Sequence, residues 1–338
     1  RGTSVYLPQK VIPMFPEVIS NGLASLQEGK LRYVKTVRIE FTPGLQKAHV
    51  EFFNAAIRVR KRFSYEQVDE ILASQERERL VVVPETNTPV ANAPGSPVAP
   101  EILSLIRRMR DLARLLRKKR FKRGALELSM PEAVLEYDAD GRVSGAHFAE
   151  NTESHRMIED CMLAANEAVA EHFSKLEVPF LRRVHPAPND EKLQAFADFA
   201  ALLGYKLQYP DSRFELQKLL DKTAEKPERA AIHFALLRSL KQAAYSPVQD
   251  EHYALASRDY CHFTSPIRRY PDLTVHRLLD RWIRTGKAAA DEAEMKMLGD
   301  HCSKTERRAE TAERELVKLK LLQYLSTRIG EKLDAVIT

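Results

Sequence analysis

His262-Phe263-Thr264-Ser265-Pro266-Ile267-Arg268-Arg269-Tyr270-Pro271-Asp272 is the stretch on which the reading of this chain turns. Pro271 suits the first position of a helix, because the amide it lacks would have no intrahelical partner there and its φ is already near helical. Leu273, Val275, Leu278, Leu279, Trp282 and Ile283 follow at helical spacing. Arg268 and Arg269 therefore stand just before a helix N-terminus, beside free backbone N–H groups and the positive end of the helix dipole. Such a place suits an anion, most naturally a phosphate. An Arg-Arg pair at a helix start also serves as a plain surface ion pair, and the pair alone does not choose between the two.

Working outward, the chain has 338 residues, 44% hydrophobic and 30% charged, which suits a soluble globular protein with a sizeable core. No apolar run reaches the length of a membrane span, so no membrane partner is expected. The net charge of +6 favours an acidic partner only weakly; where the charges lie matters more. Cys161, Cys261 and Cys302 are odd in number and far apart. They fit neither a disulfide framework nor a zinc site, and they predict a reducing compartment, the cytoplasm.

Residues 1–26 read as an extended loop with a short helix ending near Gly22, and Pro8 helps hold the Tyr6 segment extended. Residues 33–62 read as a hairpin turning at Thr42-Pro43-Gly44, with a bulge near Asn54. Ser64 is placed to cap a short helix. The proline-rich residues 84–100 read as a flexible insertion. Residues 101–123 form the most basic segment. Ile102, Leu105, Ile106, Met109, Leu112, Ala113 and Leu116 make its apolar stripe, with Arg107, Arg110, Arg114, Arg117 and Lys118 off that stripe. Lys119, Arg120, Lys122 and Arg123 carry the charge past the expected helix end, where they either meet nucleic acid or complement the dipole.

Residues 125–148 read as two strands around Asp138-Ala139-Asp140-Gly141, a hairpin turn in preference to a metal site. Residues 155–174 predict a helix with Glu159 and Asp160 solvated beside its apolar side. Further helices are expected over 189–204 and 212–243, and one or two long ones over 289–329. On the last, Leu298, Cys302, Thr305, Ala309, Ala312, Leu316 and Leu319 form a packing face. Glu306, Arg307, Arg308, Glu310, Glu313 and Arg314 read mostly as a salt-laced outer face. The sequence offers no glycine-rich phosphate loop, no metal-spaced His/Cys cluster and no nucleophile elbow. Arginines at a helix start, rigidly held tyrosines and a basic helix together suit a single-stranded nucleic acid, where each stacked base contributes about 1–3 kcal/mol.

Six ordered stretches carry a more specific likeness: Tyr6-Leu7-Pro8, Ile12-Pro13-Met14, Ser64-Tyr65, Lys119-Arg120-Phe121-Lys122-Arg123-Gly124-Ala125-Leu126, His155-Arg156-Met157-Ile158-Glu159, and the run from Tyr253 to Asp272. With them the chain resembles the catalytic domain of the ribonuclease II / ribonuclease R family of processive 3′→5′ exoribonucleases, nearest the ribonuclease R branch. The resemblance implies an α+β fold of RNB type, with a mixed β-sheet core and packed helices. That domain would fill residues 1–328, and 329–338 would begin a C-terminal OB-type RNA-binding domain.

It also implies a substrate, single-stranded RNA, and a reaction: hydrolysis to nucleoside 5′-monophosphates with two magnesium ions at the scissile phosphodiester. In that scheme Arg268 contacts the reacting phosphate and Tyr6 holds the 3′-terminal nucleotide, so these two are the catalytic candidates. Tyr65 and Glu159 contact the RNA near its 3′ end, and Glu313 supports the terminal nucleotides. Leu128 stands where the family has an aromatic residue against the terminal base, and a leucine lacks the offset-stacking contribution. The family's magnesium-binding aspartates precede the Tyr6 segment, and no residue here matches them. The Mg2+ ligands are therefore expected upstream of residue 1, and the 338-residue stretch alone is expected to be inactive. Two other readings stay open: a non-catalytic RNA-binding relative that keeps the channel, and a basic scaffold for protein partners.

Overall fold

The computed structural model describes residues 2–80, 98–128 and 132–332, with the backbone alone for 75–80. The N-terminal segment is not a plain loop. It forms a small hairpin, β1 (Val5–Leu7) and β2 (Lys10–Ile12), followed by a short π-helix over Val18–Leu23. A long hairpin comes next, β3 (Leu31–Phe41) and β4 (Lys47–Arg58). Its irregularity is not at Asn54, which pairs squarely with Lys35; the register shifts between Glu40 and Phe41. The turn accounts for this. Leu45 takes a left-handed φ of 59°, and the Thr42 amide donates to Gln46 O at 2.9 Å, so the odd residue is absorbed at the tip.

Helix α1 (Tyr65–Leu80) is longer than expected but opens as the sequence predicts. Ser64 Oγ accepts the Gln67 amide at 3.3 Å and Gln67 Oε1 accepts the Ser64 amide at 2.9 Å, a reciprocal capping box. There follow α2 (Pro100–Lys122), β5 (Ala133–Tyr137), β6 (Val143–Phe148), α3 (Glu153–Lys175) and β7 (Arg182–Val184). Then come α4 (Asp190–Leu202), α5 (Arg213–Thr223), α6 (Arg229–Ser239), β8 (Ala244–Ser246), α7 (Tyr270–Thr285) and a single long α8 (Glu292–Ser326). At the β5–β6 turn the Asp138 carboxylate accepts the amides of Asp140 and Arg142 at 3.0 and 2.8 Å, which is turn chemistry.

The class is α+β. The strands, however, make four two-stranded antiparallel sheets among the described residues, in place of one mixed sheet. Three of these join sequence neighbours through short turns, the connection that antiparallel pairing permits. Only β7–β8 joins distant segments, with Arg182 opposite Ser246. The expected insertion over 84–100 falls outside the described residues apart from 98–100. The expected start of a second domain at 329–338 does so beyond residue 332.

Two apolar cores hold these pieces. In the first, Phe52 from β4, Val169 and Phe173 from α3, Phe263, and Val275, Leu278 and Leu279 from α7 pack together. Those α7 residues are the buried face that the 262–283 spacing predicts. In the second, Leu193, Phe196, Leu216, Leu219, Ile232 and Leu236 join α4, α5 and α6. Helix α8 runs along β1, β5–β6, β8 and α7. It meets β8 at Gly299, where a Cβ would lie 2.6 Å from Tyr245 O and 3.1 Å from its carbonyl carbon.

Alanine is ordinarily favoured over glycine in a helix by about 1 kcal/mol, but here the obstacle is backbone. Gly299→Ala should therefore destabilise the fold, by about 1–3 kcal/mol, read as a lower denaturant midpoint; a raised midpoint would show that α8 and β8 separate freely.

Candidate functional site

The loop before α7 is built around a carboxylate. Asp272 is fully buried. Its Oδ1 accepts the Ser265 amide at 2.8 Å and Arg269 Nη2 at 2.7 Å, and its Oδ2 accepts Arg269 Nε at 2.8 Å. Arg269 is thereby spent as a bidentate partner. Arg268 points away: it is exposed, and among the described residues its guanidinium makes no hydrogen bond or ion pair. The two arginines thus divide the readings the sequence left open, one a structural ion pair and the other available for an anion.

The N-terminal strand docks onto this loop. Ser4 N and Thr3 Oγ1 donate to Arg268 O at 2.9 and 3.1 Å, and Tyr270 N donates to Gly2 O at 3.0 Å. Gly2 also lies against α8, where a Cβ would collide with Thr305 Oγ1. Tyr6, three residues beyond the Thr3–Arg269 bridge, is about 10 Å further along the same extended segment. It sits on β1 with a partly exposed ring. The structure therefore docks the strand that leads into Tyr6 on the loop that carries Arg268, although the two are far apart in the chain.

A second group forms where α1 meets the start of α3. The Asp69 carboxylate accepts the Ser154 amide at 3.0 Å and Ser154 Oγ at 2.8 Å, which fastens the two helices. Tyr65 then stacks on His155, ring centroids 3.8 Å apart and planes 18° apart. Glu159 is one turn beyond His155, on the side of α3 that Tyr65 stacks against. Burial holds the Glu159 carboxyl above the usual carboxylate range, against the pull of Arg120 and with Asp160 adding to the rise. Glu313 stands apart on α8. Burial raises its carboxyl too, helped by Glu132 and Glu310. Leu128 packs against the α4–α6 core, so its side chain is engaged there.

Helix α2 departs most from expectation. It continues through Lys122, and Arg110 and Arg120 are buried. Asp160 is buried as well, not solvated, because Arg120 Nη2 reaches its Oδ1 at 2.8 Å. Arg114 pairs with Glu153, Arg117 with Glu127 and Arg123 with Glu167. Much of the basic segment is thus neutralised internally. The signal was present: Glu153, Asp160 and Glu167 recur every seven residues, two helical turns, on one face of α3. Asp69 and Asp272 were missed because each accepts a backbone amide, and neither that nor the burial of Asp272 is announced by residue type. Among the described residues there is no group of three or more His, Cys, Asp or Glu that would hold a metal ion. No described helix is long and apolar enough to cross a membrane.

Residues 1–285 match the RNB domain family model. This chain belongs to the RNB-domain family. It is 35% identical over its whole length to ribonuclease R of Thermotoga maritima, spanning 46% of that protein. Ribonuclease R of Mycoplasma genitalium, in complex with ribose methylated single-stranded RNA, superposes with a TM-score of 0.86 at 30% identity, over 98% of this chain and 50% of that one. Yeast Ssd1, a pseudonuclease, shares the fold at 22% identity and a TM-score of 0.68, over 94% of this chain and 37% of that one. The chain thus spans about half the length of these relatives or less.

The raised carboxyl in this RNB domain has a consequence for stability. A carboxyl whose folded pKa exceeds its unfolded value stabilises the fold at low pH, and that contribution is lost as pH rises through the window between the two values. For Glu159 the window begins near 4.5 and extends upward. Glu159→Gln mimics the protonated form, so its melting temperature relative to the parent should improve on going from pH 4 to pH 7. A difference that stays flat or falls with pH would mean that burial does not govern this group.

Proposed function

We propose that the protein to which this RNB domain belongs is a processive 3′→5′ exoribonuclease of the cytoplasm, hydrolysing single-stranded RNA to nucleoside 5′-monophosphates. The observation that carries this reading is the free Arg268 guanidinium, held beside the docked Tyr6 strand while Arg269 is consumed by Asp272. The kinship with ribonuclease R, and the RNA found with the Mycoplasma genitalium protein, support it.

In this scheme water attacks the last phosphodiester, and the bond from phosphorus to the 3′-oxygen breaks. Negative charge grows on the non-bridging oxygens as it does so. Arg268 contributes two N–H donors in a fixed fork toward that charge. Tyr6 presents a ring on a strand that hydrogen bonds hold to the same loop, so the 3′-terminal nucleotide and the arginine are set by one piece of backbone. Tyr65 and Glu159 touch the RNA a little upstream, Glu159 recognising a ribose hydroxyl, and Glu313 supports the terminal nucleotides. Leu128, partly buried against the α4–α6 core, would offer the terminal base only the apolar surface that core leaves uncovered.

Two magnesium ions would supply an activated water and neutralise the leaving oxygen. The described residues do not include a set that fits them, and no step here is routed through the metal.

In the intact protein with Mg2+, Arg268→Ala should lower the single-turnover rate on a 5′-labelled oligoribonucleotide by about 10³–10⁵-fold, as for other arginines that bind a transferring phosphoryl group. RNA affinity should change little. A parent protein that binds RNA without shortening it would overturn the nuclease reading in favour of a non-catalytic RNA binder. Full activity in the Arg268 variant would overturn the assignment of that residue. Tyr6→Ala should disturb placement of the 3′ end, read on a sequencing gel as longer end products; unaltered length and rate would remove Tyr6 from the site.

A further inference from the structure

Three residues at successive turns on one face of α8 all address Tyr245. Gly299 admits its carbonyl, as described above. Ser303 Oγ accepts its amide at 2.8 Å. Glu306 Oε1 accepts its hydroxyl at 3.4 Å. The other Glu306 oxygen accepts Arg183 Nη1 at 2.5 Å, and the Arg183 guanidinium lies over the Tyr245 ring, 4.7 Å from its centroid. Far from being part of an outer face, Glu306 is half-buried and its carboxylate is divided between two partners.

The Tyr245 hydroxyl is also 2.9 Å from His262 Nδ1. A phenol has one proton and a carboxylate only accepts. With that proton directed to Glu306, His262 must carry its own proton on Nδ1 and donate it to the Tyr245 oxygen. The chain of bonds then runs one way, from His262 through Tyr245 to Glu306, with Arg183 closing the far end. Burial is consistent with this. It holds His262 well below its ordinary pKa, with Arg269, Arg183, His252 and Arg268 adding to the shift, so the ring is neutral.

His262 opens the segment that ends at Arg268 and Arg269. Asp272 secures the far end of that segment, and the His262 side chain ties its near end to α8. One residue before Glu306, Thr305 meets Gly2 of the strand paired with Arg268. Two turns beyond, α8 carries Glu313. We propose that Glu306 is a positioning residue: by orienting Tyr245 and His262 it fixes the Arg268 loop against α8, and so sets Arg268 relative to Tyr6 and Glu313. Its consequence for catalysis rests on the exoribonuclease reading; its effect on the loop does not.

The test uses the intact protein and the variants Glu306→Ala, Glu306→Gln, Tyr245→Phe and the Glu306→Ala/Tyr245→Phe double. The first readout is amide hydrogen exchange at Ser265, Arg268, Arg269 and Tyr270, all of which donate within this loop or to Gly2. Glu306→Ala and Tyr245→Phe should each speed exchange there by about tenfold or more while leaving the α4–α6 amides unchanged, the mark of local opening. The second is steady-state kinetics: kcat should fall by about 10–100-fold, the scale of a small misplacement of a catalytic group, with KM within about threefold of the parent. The double variant should lose no more than the worse single, since the residues act as one unit. Glu306→Gln, which keeps the volume and one acceptor, should restore most of the rate.

Unchanged exchange in the loop, faster exchange spread equally over α4–α6, or additive losses in the double would each overturn the proposal. If Glu306→Ala fails to fold, Tyr245→Phe and Glu306→Gln decide it by the same exchange measurement. If the parent proves inert on RNA, the nuclease reading fails, and the exchange result still decides whether Glu306 holds the loop.

Discussion

A buried carboxylate at the first turn of α7 governs this architecture. Asp272 has no contact with solvent, and an ion taken out of water costs several kcal/mol unless its oxygens are well partnered. Here a bidentate arginine, a backbone amide and the positive end of a helix dipole all converge on it. That requirement closes the loop from Ser265 to Asp272 and commits Arg269. It leaves Arg268 outside, with its carbonyl turned to the N-terminal strand. The placement of Tyr6, the docking of Gly2 on α8 and the start of α7 all follow from where this one charge is buried.

The positive charge of the chain is organised by the same logic. A net charge of +6 and a conspicuous basic helix suggest a broad polyanion surface. Yet Arg114, Arg117, Arg120 and Arg123 each meet an acid from α3 or its surroundings. The pairs with Glu153, Asp160 and Glu167 occur in the same order along α2 and α3, so the two helices run alongside in one direction and are held in register. Exposed guanidiniums outside these pairs, such as that of Arg268, remain for an external anion.

Local order was legible in the sequence wherever a short-range rule applied. The start of α7, the capping box at Ser64 and the Asp138 turn follow from spacing and backbone chemistry alone. The likeness to a known family placed Tyr6, Tyr65, Glu159, Arg268 and Glu313, but it could not say which of them meet. The strand that leads into Tyr6 and the Arg268 loop are far apart in the chain and are joined by backbone hydrogen bonds at Gly2 and Ser4, which leave no mark on side-chain pattern. The likeness named Arg268 and left Arg269 without a role, which the buried Asp272 supplies at a three-residue spacing that was in view. Glu306 was misread because its face of α8 was judged by apolar stripe, whereas its partners come from β7 and β8. Leu128 shows the converse limit: a motif position fixes where a residue stands, and the α4–α6 core decides what it touches.

Helix α8 carries a mechanical consequence. Its 35 residues give a rod about 50 Å long, pinned near one end by the contact of Gly299 with β8 and exposed at Leu319, Leu322 and Leu325 toward the other. With the fulcrum at Gly299, Ser326 lies about 40 Å away and Glu306 about 10 Å away. A rigid rotation of α8 about Gly299 would move Ser326 about four times as far as Glu306, and the contacts of α8 with β1 and β5–β6 hold it against such a rotation.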